Sequence, residues 1–170
     1  MQQAFTIIGG GVMGLCAAAE LLDRGADVCL VDEQPDPGPH ACSWWAGGML
    51  APFCESETAE ELVVRLGQEA ANWWQDHGAD VTRQGSLVLA LGRDQGDLDR
   101  FARRTQQHQT LDRSGIDRLE PDLDGRFSRG LYFATEAHLA PRAALETLQA
   151  RLKVRGVAVN QTVPEKPGTL

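Results

Sequence analysis

Near its start the chain runs apolar over Ala4-Phe5-Thr6-Ile7-Ile8, breaks into Gly9-Gly10-Gly11, and resumes at Val12-Met13-Gly14-Leu15 with apolar residues at helical spacing. A short apolar run that breaks into glycines and continues as a helix pattern predicts a strand, a tight turn and a helix, the opening of a βαβ unit. The helix is expected from Val12 to Arg24, with Leu15, Ala18, Ala19 and Leu22 on one face, Glu20, Asp23 and Arg24 on the other, and Gly25 as its stop. Val28-Cys29-Leu30-Val31-Asp32 reads as the second strand. Between Glu33 and His40 the prolines and Gly38 exclude a helix and predict a loop, in which His40 reads as a solvated residue rather than a catalytic base.

Further along, an amphipathic helix is expected from Thr58 to His77, with Leu62, Leu66, Ala70, Trp73 and Trp74 near one face and Gly78 closing it. The stretch from Gln84 to Leu91 reads as a strand led in by a turn. Asp94 to Gln109 reads as a polar helix whose Arg100, Arg103 and Arg104 make i,i+4 pairs on a solvated face. A short helix within Leu111 to Asp124 ends near Pro121, and Gly130 to Ala134 is another strand. Tyr132, the only tyrosine, is read there as a packed strand residue. Pro141 to Arg155 is a helix with proline at its first position, where the missing N–H is not needed, and Val157-Ala158-Val159 follows as a strand.

Composition narrows the classes of function. The 170 residues are 42% hydrophobic and 24% charged, which describes a globular chain and not a disordered one. A net charge of -8 argues against a nucleic-acid groove or an anionic membrane surface, both of which want clustered Lys and Arg. The apolar stretch to Leu22 lacks a basic flank, is broken by glycines and carries Glu20, so it is expected to be mature fold and not a leader or membrane span. Cys16, Cys29, Cys42 and Cys54 show no C-x-x-C pair and no histidine at ligand spacing, and read as reduced thiols of a cytoplasmic protein. No metal site and no catalytic set of Ser, His and Asp emerges.

The glycine loop carries the first chemistry. Gly9 suits the tight turn, Gly11 the close approach of a pyrophosphate, and Gly14 the close packing of helix on strand. The helix N-terminus offers unpaired N–H groups and a partial positive charge to a diphosphate. Asp32 ends the next strand, eighteen residues after Gly14, where a carboxylate accepts hydrogen bonds from ribose hydroxyls. This pattern indicates a dinucleotide, flavin or nicotinamide, since both share the ADP half.

Ala41-Cys42-Ser43-Trp44-Trp45-Ala46-Gly47-Gly48-Met49-Leu50-Ala51-Pro52 is small, apolar and glycine-paired, with adjacent indoles that cannot both serve one face of a regular element. The paired glycines suggest close approach to something flat or to another strand. A ligand surface and a buried structural turn account for this stretch equally well.

From Thr6 to Glu57 the sequence resembles the FAD-binding amino-acid oxidases of the D-amino-acid oxidase superfamily, and the string Ser43 to Pro52 is most similar to the glycine oxidases of thiamine biosynthesis. Arg83 to Leu87 and Glu136 to Arg142 extend the resemblance over nearly the whole chain. It implies an α/β fold, a Rossmann-like FAD-binding βαβ domain with part of a second α+β substrate domain. The implied division is a first part of the FAD-binding domain over 1–80, a partial substrate domain over 81–138, and a return to the FAD-binding domain over 139–170.

Carried onto this chain, the resemblance places the pyrophosphate on Gly9 to Gly14, with Gly9, Gly11, Val12, Met13 and Gly14 as its contacts. It places the adenosine ribose on Asp32 with Glu33 beside it, where the family usually has glutamate at the first position. Cys42 and Ser43 meet the cofactor from their loop; Gly47, Gly48 and Met49 run along the isoalloxazine; Val163 or its neighbour offers backbone to adenine. The implied reaction passes a hydride from the α-carbon of a small amino acid or amine to flavin N5, with imine hydrolysis and reoxidation of the flavin by molecular oxygen to hydrogen peroxide. Met49 or one of the two tryptophans is a candidate for narrowing the pocket. No catalytic residue is located, and homo-oligomers remain compatible with all of this.

Family members are about twice this length, so the chain is expected to be the N-terminal half of an oxidase, inactive alone. Two rival readings stay open: a D-amino-acid or sarcosine oxidase or dehydrogenase, and a noncatalytic flavin-binding fragment. A nicotinamide dehydrogenase fits least, because the Ser43 to Pro52 string is not expected in one.

Overall fold

The computed structural model describes residues 3–157 and 159–161. In chain order they form β1 (Ala4–Ile8), α1 (Val12–Asp23), β2 (Asp27–Val31), a 3-10 turn over Cys42–Trp45, β3 (Met49–Leu50), α2 (Pro52–Glu55) and α3 (Glu61–Asp76). There follow β4 (Val81–Thr82), β5 (Ser86–Leu89), α4 (Gln95–Arg104), β6 (Gln109–Asp112), α5 (Arg113–Leu119), β7 (Arg129–Phe133), β8 (Ala137–Leu139), α6 (Pro141–Val154) and β9 (Val159–Asn160). They divide into two compact units, one of residues 3–48, 74–80, 139–157 and 159–161, the other of residues 49–73 and 81–138.

The first unit is built on a parallel sheet in the order β1-β2-β9. Ala4 to Ile8 pair with Asp27 to Val31, and Leu30 and Val31 pair with Val159 and Asn160. Parallel neighbours need a crossover, and α1 supplies the one between β1 and β2. Val28, Cys29, Leu30 and Val31 are all buried, the continuous apolar run of a strand covered on both faces. The small residues Ala18 and Ala19 and the fully buried Leu15 let α1 pack closely on β2 and α6, and α6 contributes Ala144, Leu145, Leu148 and Leu152 to the same core. Asp23 fastens the end of α1, taking an ion pair from Arg155 and a 3.1 Å contact from His77 Nε2. Of the expected last strand, Val159 and Asn160 are paired in this sheet; Ala158 and Val163 lie outside the described residues.

The second unit holds an antiparallel sheet in the order β5-β7-β6 and a small sheet β3-β8-β4. Leu98 of α4 packs with Leu131 and Phe133 of β7 as its buried centre, and Phe101 meets Phe133 edge to face at 6.2 Å. Here the polar helix expected over Asp94 to Gln109 is corrected. It ends at Arg104, Thr105 turns extended with its hydroxyl donating to the Phe101 carbonyl (2.9 Å), and Gln109–Asp112 becomes an edge strand on β7. Pairing with a preformed strand outweighs the helical propensity of Gln-rich sequence. The arginines also pair differently from expectation: Arg100 with Asp97 one turn back, and Arg104 with Glu57.

In α3 the expected apolar face is only partly buried. Ala71 and Trp74 are buried, whereas Leu62 and Leu66 of the first turns are 54% and 51% exposed. Tyr132 is a packed strand residue, its hydroxyl donating to the Gln84 carbonyl (2.9 Å). Among the described residues no helix is long and apolar enough to cross a membrane.

Candidate functional site

Where β1 gives way to α1, the chain turns through Gly9, which takes φ +107°, a conformation that L side chains rarely adopt. The Gly9 N–H donates to the Val31 carbonyl (2.7 Å), so the turn starts from the end of β2's pairing. Gly14 faces this turn from the first turn of α1, and a Cβ on it would stand 1.7 Å from the Gly9 carbonyl oxygen. This is the close helix–strand packing expected of the third glycine. Gly11 is the N-cap of α1 and has no side chain to cap with; Ser43 supplies the missing oxygen, accepting from the Val12 N–H at 3.2 Å. Met13 is 81% exposed beside this loop.

Asp32 lies directly beside the glycines. Its Oδ2 accepts from the Gly10 N–H (2.6 Å) and its Oδ1 from the Gln34 N–H (2.8 Å). Burial pushes this carboxyl up, but the N–H groups of Gln34 and Gly10, with His40 nearby, outweigh it and hold it below the ordinary aspartate value. Glycine at position 10 is what admits the carboxylate this closely: a Cβ there would stand 3.2 Å from Oδ2. Glu33 is exposed, its carbonyl accepting from Gln161 Nε2 (3.1 Å).

Cys42 is exposed and Ser43 buried within the 3-10 turn Cys42–Trp45. The two tryptophans are reconciled by Arg142 of α6. Its guanidinium carbon lies 5.4 Å from the Trp44 ring centre and 5.2 Å from that of Trp45, and its Nε donates to the Trp44 carbonyl (3.4 Å). One cation thus serves both adjacent indoles.

The two glycines after the turn have different reasons. Gly48, at φ +73°, would put a Cβ 2.1 Å from the Leu139 carbonyl oxygen, and its own carbonyl accepts from the Leu139 N–H (2.9 Å); it is needed by the fold. Gly47 has nothing within 4 Å of a Cβ position, so the fold does not require it. Met49 opens β3 with its side chain 59% exposed.

The first unit therefore links Gly9, Gly10, Gly11, Val12, Gly14, Asp32 and Ser43 around one helix N-terminus, with Met13 and Cys42 exposed next to them in the chain and Gly47 left open. Glu136, which sequence patterning did not single out, is the most deeply buried acidic residue among the described residues, 1% exposed, and belongs to the second unit. Its Oε1 accepts from both the Phe53 and Cys54 N–H groups, while Oε2 has no hydrogen-bond partner among the described residues. These contacts span more than eighty residues of sequence, and no local pattern announces them.

A helix N-terminus with free N–H groups, a glycine turn without side chains and an adjacent carboxylate can take a diphosphate and a diol together. Residues 5–163 match the family described as DAO, FAD dependent oxidoreductase. A Rhizobium etli protein named as a candidate thiamine biosynthesis oxidoreductase, ThiO, is 51% identical over 146 residues, covering 85% of this chain and 44% of that protein. The chain thus spans less than half the length of that relative. Among solved structures, glycine oxidase from Bacillus cereus superposes with a TM-score of 0.73 at 19% identity, over 94% of this chain and 47% of that one. L-alpha-glycerophosphate oxidase from Mycoplasma pneumoniae, with FAD bound, gives 0.73 at 19% identity, over 95% of this chain and 45% of that one. At these identities the structures establish a shared fold.

Proposed function

This chain belongs to the DAO family of FAD dependent oxidoreductases, and on that premise we propose that it forms the cofactor-gripping part of an enzyme that oxidises glycine or another small amine with molecular oxygen, releasing hydrogen peroxide. The observation that carries this reading is the convergence of the Gly10 N–H on Asp32 Oδ2 (2.6 Å) beside the open N-terminus of α1. The residues fit the cofactor: the glycine turn presents backbone instead of side chains, and Gly47 leaves open the space a Cβ would fill.

FAD, when bound, supplies the acceptor for the substrate's hydride. The chain's own groups bind and orient it. The Gly9 and Val12 N–H groups are given to the Val31 carbonyl and Ser43 Oγ, so the pyrophosphate is assigned to the N–H groups of Gly11, Met13 and Gly14, with the backbone of Gly9 and Val12 beside it and the dipole of α1 behind it. Asp32, kept ionised by its two N–H donors, accepts from the adenosine ribose, with Glu33 beside it. Ser43 fixes the loop by accepting from Val12, and Cys42 and Ser43 border the cofactor. Gly47, Gly48 and Met49 are assigned to the isoalloxazine and Val163 to adenine. The likeness to the Rhizobium etli protein named for thiamine biosynthesis supports that pathway as the setting, and the resemblance of the Ser43 to Pro52 string to glycine oxidases supports glycine as the substrate. The free thiols Cys16, Cys29, Cys42 and Cys54 support a cytoplasmic location.

The test is the visible spectrum of the purified chain after mixing with FAD and desalting. Retained bands near roughly 370 and 450 nm, as a protein-bound flavin gives, are expected. A colourless chain that also fails to bind ADP would remove the site as assigned.

A further inference from the structure

His40 stands beside Asp32 at the end of the first unit that carries the glycine turn. Its Nε2 lies 3.7 Å from Asp32 Oδ1, and the two side chains are 38% and 16% exposed. The segment that carries it is rich in proline and polar, yet it is tied down along its whole length. Gln161 Nε2 donates to the Glu33 carbonyl (3.1 Å), Gln149 Nε2 to the Pro35 carbonyl (3.0 Å), Lys153 Nζ to Asp36 Oδ1 (2.7 Å) and Trp45 Nε1 to the Pro39 carbonyl (3.1 Å). The Ala41 N–H closes a turn on the Gly38 carbonyl (3.0 Å). The imidazole rests on Gly38, where a Cβ would come within 3.2 Å of Nδ1. These bonds fix the backbone on either side of His40, so its exposed imidazole is presented beside Asp32 from an anchored loop.

Each oxygen of Asp32 already accepts one backbone N–H, and each retains a further lone pair. The separation of 3.7 Å is too long for a direct hydrogen bond, so carboxylate and imidazole stand side by side without joining. A hydroxyl placed roughly 2.8 Å from both would donate to the carboxylate and accept from Nε2–H, using both of its capacities at once. We propose that His40 is a second ribose-binding residue, which together with Asp32 grips the vicinal diol of an adenosine diphosphate moiety. This rests on the reading of Asp32 as the ribose acceptor.

The experiment is calorimetric titration of the full chain with ADP and with 2′,3′-dideoxy-ADP. The wild-type chain is expected to bind ADP at least about tenfold more tightly than the dideoxy compound, because two hydrogen bonds are removed. His40→Ala should weaken ADP about three- to tenfold and leave dideoxy-ADP unchanged. His40→Gln, which keeps a donor, should stay within about twofold of wild type for both. Equal ADP affinity in wild type and His40→Ala, with Asp32→Ala still weakened, overturns the role of His40 and leaves that of Asp32 standing. Equal weakening of ADP and dideoxy-ADP in His40→Ala also overturns it, since His40 would then only shape the loop. ADP affinity unchanged in Asp32→Ala, or absent in wild type, overturns both.

Discussion

Gly14 packs so tightly against Gly9 that a Cβ on it would stand 1.7 Å from the Gly9 carbonyl oxygen. The obstacle is backbone, and Cβ is the one side-chain atom no rotamer moves, so α1 must lift from β1 or the turn must open. Gly14→Ala is expected to lower stability by about 3 kcal/mol and to abolish FAD binding. The measurement is a urea unfolding curve followed by circular dichroism. Gly47→Ala is the contrast: with nothing within 4 Å, its unfolding midpoint should barely move, within about 0.5 kcal/mol. If Gly47→Ala also keeps full FAD affinity, Gly47 does not face the flavin.

Acid stability should be set by a few aspartates. Asp23 is held below its ordinary value of 3.8 by the Arg155 guanidinium first, against burial, with help from His77. Asp112 is lowered by the Gly115 N–H at the start of α5 and by the Ser114 hydroxyl, and Asp32 is lowered in spite of burial by Gln34, Gly10 and His40. A carboxylate depressed in the folded state binds fewer protons there than when unfolded. Its stabilisation is complete above the unfolded value and drains as pH falls below 3.8 toward the folded one. Unfolding free energy should therefore be flat above about pH 5 and fall steeply below about pH 4. Asp23→Asn should make that slope shallower; an unchanged slope would show that Arg155 and His77 do not hold it.

The opening strand, turn and helix were legible in the sequence because each local signal points the same way: apolar run, glycines, helical spacing, then an acid at the end of the next strand. The boundaries at Val12 and Pro141 follow from backbone chemistry alone. What escaped was tertiary. Gln109–Asp112 becomes a strand only because β7 offers it a partner, and Leu62 and Leu66 look like core by spacing although they are exposed. The paired glycines could not be told apart in sequence, since the need for Gly48 comes from Leu139, more than ninety residues away. His40 is exposed in its loop, as its reading as a solvated residue expects; what local pattern could not show is that the loop is anchored by α6, Trp45 and Gln161.

Arg142 is expected to be a positioning residue for the turn that delivers Ser43. Removing its guanidinium takes the cation from both indoles, leaving Trp45 held by its bond to the Pro39 carbonyl, and releases the Trp44 carbonyl, so Ser43 should lose its register on Val12. Arg142→Ala should destabilise the chain by about 1–2 kcal/mol and red-shift tryptophan emission. Arg142→Lys, which keeps the cation without the planar fork, should recover about half of that loss. Full stability in Arg142→Ala would mean the turn holds itself.

Glu136 should tolerate neutralisation but not removal. Oε1 accepts two N–H groups at the start of α2, and its loss leaves both unsatisfied in a half-buried place, at up to about 1–3 kcal/mol each. Glu136→Ala is thus expected to cost about 2–5 kcal/mol, whereas Glu136→Gln keeps the acceptor and should cost about 1 kcal/mol or less. Thermal melts of the two variants separate these outcomes. Equal melting points would mean that the two N–H groups find another acceptor when the side chain is removed.

Thiol chemistry gives a check on the cofactor face that needs no turnover. The thiolate is the reactive form, so reactivity follows exposure and ease of ionisation. Burial, then the nearby Glu20, pushes Cys16 up to about 11, and burial followed by the Glu136 carboxylate pushes Cys54 up as well. Cys29 is buried, which leaves Cys42 as the exposed thiol. Treatment with a maleimide at neutral pH should therefore modify Cys42 first and the other three slowly, as peptide mapping will show. Saturating FAD should slow the Cys42 phase about tenfold or more if the cofactor covers the 3-10 turn. A Cys42 rate indifferent to FAD, in a chain whose spectrum proves the flavin bound, would take Cys42 off the cofactor face while leaving Gly9 to Gly14 and Asp32 in place.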